Sequence, residues 1–137
     1  MSVPSYNRHQ GKLEVLESAR RLMKHTVTIV QNEKLFPKRN RWIITKPIVD
    51  EVISVVTNIR KANSIKVETH EDYVLRRRFQ HEAYASLAAL YTLIDTAYQC
   101  LGLSSSKIEF WTGLCFDTDV KLKAWLIADK ERYQNIK

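Results

Sequence analysis

Basic side chains interleaved with aromatic ones are the feature of this sequence best suited to binding chemistry. Segment 34–46 contains no acidic residue and carries Lys34, Lys38, Arg39, Arg41 and Lys46, with two aromatics between them. Such a pattern can hold a nucleic-acid backbone and stack its bases. Aromatic side chains at the edge of a helical domain also serve as apolar lids over its core. We favour this second interpretation for the two aromatics, Phe36 and Trp42.

Three consecutive arginines, Arg76, Arg77 and Arg78, are the sharpest single motif. On a helix, successive side chains are rotated by about 100°, so three in a row fan over a wide arc. They cannot all face open solvent if that helix is packed. Either one of them turns into the domain, or the helix borders a second chain or an anionic ligand.

Residues that could support catalysis or hold a metal are not arranged for either role. No Glu has a His three residues later, as a di-iron bundle would need. Three glycines are too few for a phosphate-binding loop. The only cysteines, Cys100 and Cys115, lack zinc spacing, and we expect both to be apolar thiols in the core. We therefore expect no enzyme, no metal and no cofactor.

Composition sets the elements that position these residues. The chain has 137 residues, three glycines, three prolines and a net charge of +7. Scarce turn formers favour long helices, and the positive excess raises affinity for polyanions. No apolar run is long enough for a membrane span, and residues 1–10 lack the apolar stretch of a signal peptide. We expect a cytoplasmic protein.

Apolar residues recur at steps of three and four along four segments. The pattern predicts helices over 13–32, 46–63, 70–101 and 107–133, after a flexible N-terminal arm at 1–11. Thr45, Thr69 and a Ser106–Glu109 capping box mark the starts of the last three helices, and Gly102 can end the third. Short connections make neighbouring helices antiparallel. The prediction is one all-α domain, 12–137, an up-down-up-down four-helix bundle.

The helical seams suggest which arginine turns inward. Extending the third helix's seam backwards from Ala83 reaches Gln80 and Arg76, while the seams of helices 1 and 4 pass through Arg20 and Asp129. We expect these four to form a buried or half-buried polar layer. Its role would be to fix helix register, with little or no gain in stability.

The remaining basic residues are the predicted nucleic-acid contacts. They lie at opposite ends of the expected bundle, and the sequence does not choose between the ends. The set is Lys38, Arg39, Arg41, Arg60, Lys61, Arg77 and Arg78.

Several short motifs, in their order and spacing, resemble small four-helix-bundle proteins of bacteria and phages. Those proteins are the accessory variability determinant (Avd) family of diversity-generating retroelements and, more distantly, the bundle proteins of ribosomal RNA intervening sequences. The resemblance spans nearly the whole chain. Its motifs are KLEV at 12–15, NEKLFPKR at 32–39, Ala62-Asn63, EDY at 71–73 and ADKERY at 128–133.

The resemblance implies a basic homo-oligomer, a pentamer, without a catalytic site. It also implies two partners, a reverse transcriptase and its structured template RNA. It supplies no contact residues, so the predicted sites come from the charge pattern alone. The alternative is a phage or bacterial protein-interaction bundle with no nucleic-acid role, in which an outer apolar stripe would matter more than Arg77 and Arg78.

Overall fold

Four α-helices make up most of the chain. The computed structural model describes the backbone of residues 5–137 and the side chains of residues 14–137. The described residues contain no strand, and their α-helices are α1 (Ser5–Val30), α2 (Lys46–Ser64), α3 (His70–Leu101) and α4 (Ser105–Tyr133). The predicted all-α four-helix fold is therefore confirmed.

The first helix begins earlier than predicted. It starts at Ser5 rather than Leu13 and ends at Val30, so it includes much of the segment expected to be an arm. Residues 5–12 have no apolar periodicity, but adding one more residue to an existing helix is far easier than starting one. Residues 1–4 of the predicted arm lie outside the described residues.

The segment predicted as a loop is partly helical. After Pro37, a 3₁₀ turn (Lys38–Asn40) and a π-helical turn (Arg41–Thr45) lead directly into α2. Thr45 has helical backbone angles, φ −65° and ψ −52°, and its side chain makes no capping hydrogen bond. The predicted Thr45 cap is wrong because the chain is already helical before that residue.

The start of α3 is capped as predicted. The Thr69 hydroxyl accepts a hydrogen bond from the Asp72 N–H at 3.2 Å, and the Asp72 carboxylate accepts from the Thr69 N–H at 3.0 Å. Gly102 follows α3 with a φ of 67°, the left-handed conformation that glycine adopts without a steric penalty.

The start of α4 differs from the prediction. Ser104, not Ser106, is its N-cap, and its side chain accepts from the Lys107 N–H at 3.3 Å. Ser104 and Ser106 are equally suited to capping by residue type. The connection after Gly102 is short, and it places the cap at the earlier serine.

Contacts between α1 and α4 run in opposite directions along the two helices. The Trp111 indole N–H donates to the Thr26 hydroxyl at 2.9 Å, and the Ser18 hydroxyl donates to the Asp117 carboxylate at 2.8 Å. Positions therefore rise along α1 as they fall along α4. This is the pattern of an antiparallel pair, and it buries Trp111 completely.

The α2–α3 and α3–α4 pairs show the same relation. Between α2 and α3, Ser54 and Ser86 hydroxyls lie 2.7 Å apart, and Lys61 lies over the Phe79 ring. Between α3 and α4, the Tyr91 and Phe116 rings meet near the middle, while α3 contacts Asp129 from nearer its own start. Each helix packs mainly against two neighbours.

The core follows the apolar periodicity of the helices. The buried seam of α2 is Ile48, Val52, Val55, Ile59 and Ala62, and that of α3 includes Ala83, Leu87, Leu90, Ile94 and Ala97. α1 carries two apolar lines: Val15, Ala19 and Leu22 are fully buried, while the predicted seam through Leu16, Arg20, Met23 and Val27 is partly exposed. Both cysteines are free thiols; Cys115 is buried as expected, but Cys100 is exposed, so its predicted core position is wrong.

Replacing Thr69 with Ala should lower the free energy of unfolding by about 0.5 to 2 kcal/mol, because the Asp72 N–H loses its acceptor. Urea denaturation monitored by circular dichroism measures it. Thr57→Ala, at an exposed position inside α2, is the matched control and should have a smaller effect. Equal losses for both variants would contradict the capping role.

The same cap should depend on pH. Hydrogen bonds from the Glu68 and Thr69 N–H groups hold the pKa of Asp72 below its ordinary value of 3.8. A carboxyl whose pKa is lowered by folding adds stability above its unfolded pKa and loses it as pH falls through the folded one. The contribution of Asp72 is therefore present at neutral pH and disappears below about pH 4.

Candidate nucleic-acid interface

A buried ion pair joins α3 to α4 beside the arginine run. Arg76 donates to both oxygens of Asp129, through Nε at 2.6 Å and through a terminal nitrogen at 3.1 Å. Gln80 donates to the same carboxylate at 2.8 Å. The Arg76 side chain is 1% exposed and that of Asp129 is 3% exposed. Two parallel bonds to one carboxylate fix the relative position of the two side chains.

Aromatic rings complete the surroundings of Arg76. Its guanidinium carbon lies 5.1 Å from the centre of the Trp125 ring and 5.9 Å from that of Tyr133. Ring faces attract a cation, and this helps to replace its lost hydration. The inward arginine of the three is therefore Arg76, and it is unavailable to an outside ligand.

Arg20 does not join this layer, and that part of the prediction is wrong. Arg20 is exposed on α1, while its neighbour Ala19 is fully buried. Two apolar lines run along α1, and the polar layer was placed on the seam through Arg20. The bundle buries the line that contains Ala19, which turns Arg20 outward.

The other two arginines differ from each other. Arg77 is half-buried and donates to the Tyr73 hydroxyl at 2.9 Å and to the Leu126 carbonyl at 3.5 Å. Arg78 is exposed. Of the two arginines predicted to bind a ligand, Arg78 is open to solvent, whereas Arg77 already has partners within the chain.

The surface around Arg78 also carries Arg60 and Lys61, near the end of α2. Both are exposed, and the Lys61 ammonium lies 5.7 Å from the centre of the Phe79 ring. We call the exposed set Arg60, Lys61 and Arg78 the helical basic end. Its cations lie on two separate helices, and the nearby Glu68 pairs with Lys66 rather than with any of them.

At the opposite end of the bundle, the segment after Pro37 gathers its cations on one short stretch. Lys38, Arg39 and Arg41 are all exposed, and we call them the basic loop. Lys38 forms an exposed ion pair with Glu33 at 3.6 Å. Among the described residues, Arg39 and Arg41 have no carboxylate within salt-bridge distance. Their charge is therefore uncompensated locally.

The length of α2 separates the two basic ends. Arg41 and Arg60 are nineteen positions apart along a nearly continuous helical path, which corresponds to roughly 28 Å. The predicted set does not form one patch. It forms two patches, and in the basic loop the cations lie on one short stretch of the chain.

The two aromatics of segment 34–46 behave oppositely. Phe36 is 3% exposed and its ring packs edge-on against Trp111, with centroids 5.9 Å apart. It closes the core, as we expected of both. Trp42 is 71% exposed, so its predicted role as a core lid is wrong. Ile43, which follows Trp42, is also exposed. Ile44 is the residue of this turn that is buried.

An apolar face on α4, missed in the sequence, points away from the core. Phe116, Val120 and Ile127 are each about 60% exposed and recur at steps of four and seven. Tyr91 of α3 borders this face and meets the Phe116 ring at 5.8 Å. The spacing is visible in the sequence, but periodicity alone does not show that these side chains stay exposed in the folded chain. We call this set of four residues the outer apolar face.

No metal site is formed by the described residues, where three potential His, Cys, Asp or Glu ligands never come together. Burial raises the pKa of the Cys115 thiol to about 12, so it stays protonated and unreactive at neutral pH. His25 is half-buried against the Phe110 ring, and desolvation lowers its pKa.

Comparison with known proteins does not assign the chain to a family. No family model matches it, and no curated protein matches it. In the part of the chain that the structure describes, no helix is both long and apolar enough to cross a membrane.

Proposed function

We propose that this chain is a non-catalytic, oligomeric accessory protein that binds structured RNA and a reverse transcriptase. The Avd-like resemblance suggested this role. The observation that carries it now is the basic loop, where Arg39 and Arg41 are exposed and have no acidic partner among the described residues. Phosphate groups are the natural counter-charge for such a surface.

The helical basic end contributes less to this proposal. Its neighbouring arginines, Arg76 and Arg77, are occupied by Asp129, Tyr73 and Leu126. Only Arg78 of the run remains open. The sequence alone did not distinguish the two basic ends. Because Arg76 and Arg77 are engaged within the chain, the structure favours the basic loop as the RNA contact.

The test is binding to a labelled RNA hairpin by fluorescence anisotropy at increasing salt. Contacts to phosphate release counterions, so affinity should fall steeply, at least about tenfold between roughly 50 and 200 mM salt. A chain that binds no RNA at low salt would sink the proposal. The reverse-transcriptase partner is tested separately, by co-purification with the reverse transcriptase of a diversity-generating retroelement.

Self-association is the second part of the proposal, and the outer apolar face supports it. A helix that is apolar on its inner and outer faces is usually covered on both. Charged residues lie beside the face, since Lys123 pairs with Asp119 at 2.9 Å. The Avd-like resemblance suggests five copies. A protein-interaction bundle without RNA is the alternative, and the same face favours it if the partner is another protein.

Introducing charge on the outer apolar face should dissociate the oligomer. Phe116→Glu with Val120→Glu places two carboxylates where apolar side chains are exposed, and desolvating them in an interface is costly. Light scattering coupled to size exclusion should show a shift to monomer. Thr28→Glu with Thr57→Glu adds the same charge on exposed positions of α1 and α2 and should leave the assembly intact. A wild-type monomer would refute self-association outright.

A further inference from the structure

Trp42 is exposed to solvent on the turn that contains it. The π-helical turn Arg41–Thr45 has one buried residue, Ile44, which anchors it to the core. Trp42 and Ile43 are 71% and 74% exposed, on the open side of that anchor. The indole is therefore presented outward by a turn that is itself fixed to the bundle.

The core does not need this ring. Phe36 closes the same end of the bundle by its edge-on contact with Trp111, and Ile44 is buried nearby. Trp111 and Trp125, the other two tryptophans, are both buried. An aromatic of this size could bury a large apolar area, and leaving it exposed forgoes that stabilisation.

The positive charges near Trp42 in the chain are complementary to the phosphates of a nucleic-acid strand. Arg41 is its direct neighbour and Arg39 lies one helical turn back, and both are exposed without a carboxylate partner among the described residues. An exposed flat ring with two exposed arginines nearby in the chain offers stacking to a base and two cationic contacts to phosphates. A stable membrane anchor needs a larger apolar face or a lipid chain.

We propose that Trp42 is a stacking platform for an unpaired base of the bound RNA, with Arg39 and Arg41 on the adjacent phosphates. This inference rests on the proposed RNA-binding function, and it specifies which kind of RNA the basic loop binds. Bases inside a duplex are already stacked on each other, and side chains cannot reach the deep major groove of A-form RNA. We therefore expect the basic loop to bind unpaired nucleotides in RNA hairpin loops, bulges or ends.

The experiment compares a labelled oligouridylate with a labelled RNA duplex of equal length, at one fixed low salt. Trp42→Ala should weaken binding to the single strand by about 5- to 150-fold, the range for loss of one stacked base. Binding to the duplex should change by less than about twofold. Trp42→Phe keeps a ring and should stay near wild type, as should Ile43→Ala, which removes a neighbouring exposed side chain without touching the ring.

Tryptophan fluorescence supplies a second readout. The oligouridylate should quench the emission of Trp42 in the wild type, because the indole stacks on a base. Trp42→Phe should bind but show no quenching, since Trp111 and Trp125 are buried. Circular dichroism of each variant checks that the bundle is folded.

The outcomes separate this inference from the function on which it rests. A wild type that binds neither RNA refutes both. Salt-sensitive binding of both RNAs, with no loss in Trp42→Ala, leaves the RNA-binding function standing and overturns the stacking role. Equal losses on single strand and duplex also overturn it. Trp42-dependent sedimentation with phosphatidylserine vesicles, without preference for the single strand, would assign the ring to a membrane surface instead.

Discussion

Replacing Asp129 with Asn should lower the free energy of unfolding by about 3 to 5 kcal/mol, because Arg76 would remain buried without a counter-charge. For a domain of this size the melting temperature should fall by roughly 10 to 20 °C. Gln80 would also lose a charged acceptor for its amide. Thermal denaturation followed by circular dichroism measures the effect.

Two matched variants test whether the ion pair is the cause. Asp119→Asn makes the same chemical change on the same helix, where Lys123 is exposed and Asp119 is only half-buried, and it should lower the melting temperature far less. Arg76→Met with Asp129→Leu removes both charges and should recover most of the loss. The idea fails if Asp129→Asn alone leaves stability and oligomeric state as they are in the wild type.

A buried ion pair of this kind selects one arrangement more than it stabilises it. Arg76 and Asp129 must align for both hydrogen bonds to form, and a shift of α3 along α4 would break them. The expected recovery in the double variant therefore has a corollary. That variant should be stable but less uniquely packed, which would appear as broader amide signals in its NMR spectrum.

Reversing the two free arginines of the basic loop should have the largest effect on RNA binding. Arg39→Glu with Arg41→Glu removes two cations and adds two repelling charges beside the phosphates. We expect at least about a tenfold loss of affinity, and a slope of log affinity against log salt that is shallower by about two. Anisotropy titrations over a salt series measure both quantities.

The matched control reverses the same number of arginines at the helical basic end. Arg60→Glu with Arg78→Glu changes the net charge by the same amount and also affects exposed residues. If the two double variants lose affinity equally, the effect is one of overall charge and the basic loop is not a defined site. A loss confined to Arg60→Glu with Arg78→Glu would move the site to that end.

Features encoded by local residues were predictable from sequence. Thr69 and Gly102 fixed the bounds of α3, because a capping side chain and a left-handed glycine each act on their own helix end. The inward turn of Arg76, Gln80 and Asp129 was also predictable, since heptad spacing places all three on the buried seams. These predictions needed no knowledge of which helix packs where.

Features that depend on competition between similar residues were not predictable. Arg20 was placed inward because α1 carries two apolar lines, and periodicity alone does not say which line the bundle buries. Phe36 and Trp42 look alike in sequence, but only one of them can pack against Trp111. The sequence shows where the residues of the outer apolar face lie. Whether they find partners within the chain depends on how the four helices pack.

The hydrogen bond between Trp111 and Thr26 also bears on the order of assembly. It joins positions 85 apart in the chain, whereas the Ser54–Ser86 contact of α2 and α3 joins positions 32 apart. The entropy lost in closing a chain segment grows with its length, so pairing α1 with α4 is the more demanding step. We therefore expect contacts between α2 and α3 to form before those between α1 and α4. The indole N–H of Trp111 then exchanges water for the Thr26 hydroxyl only in that later step.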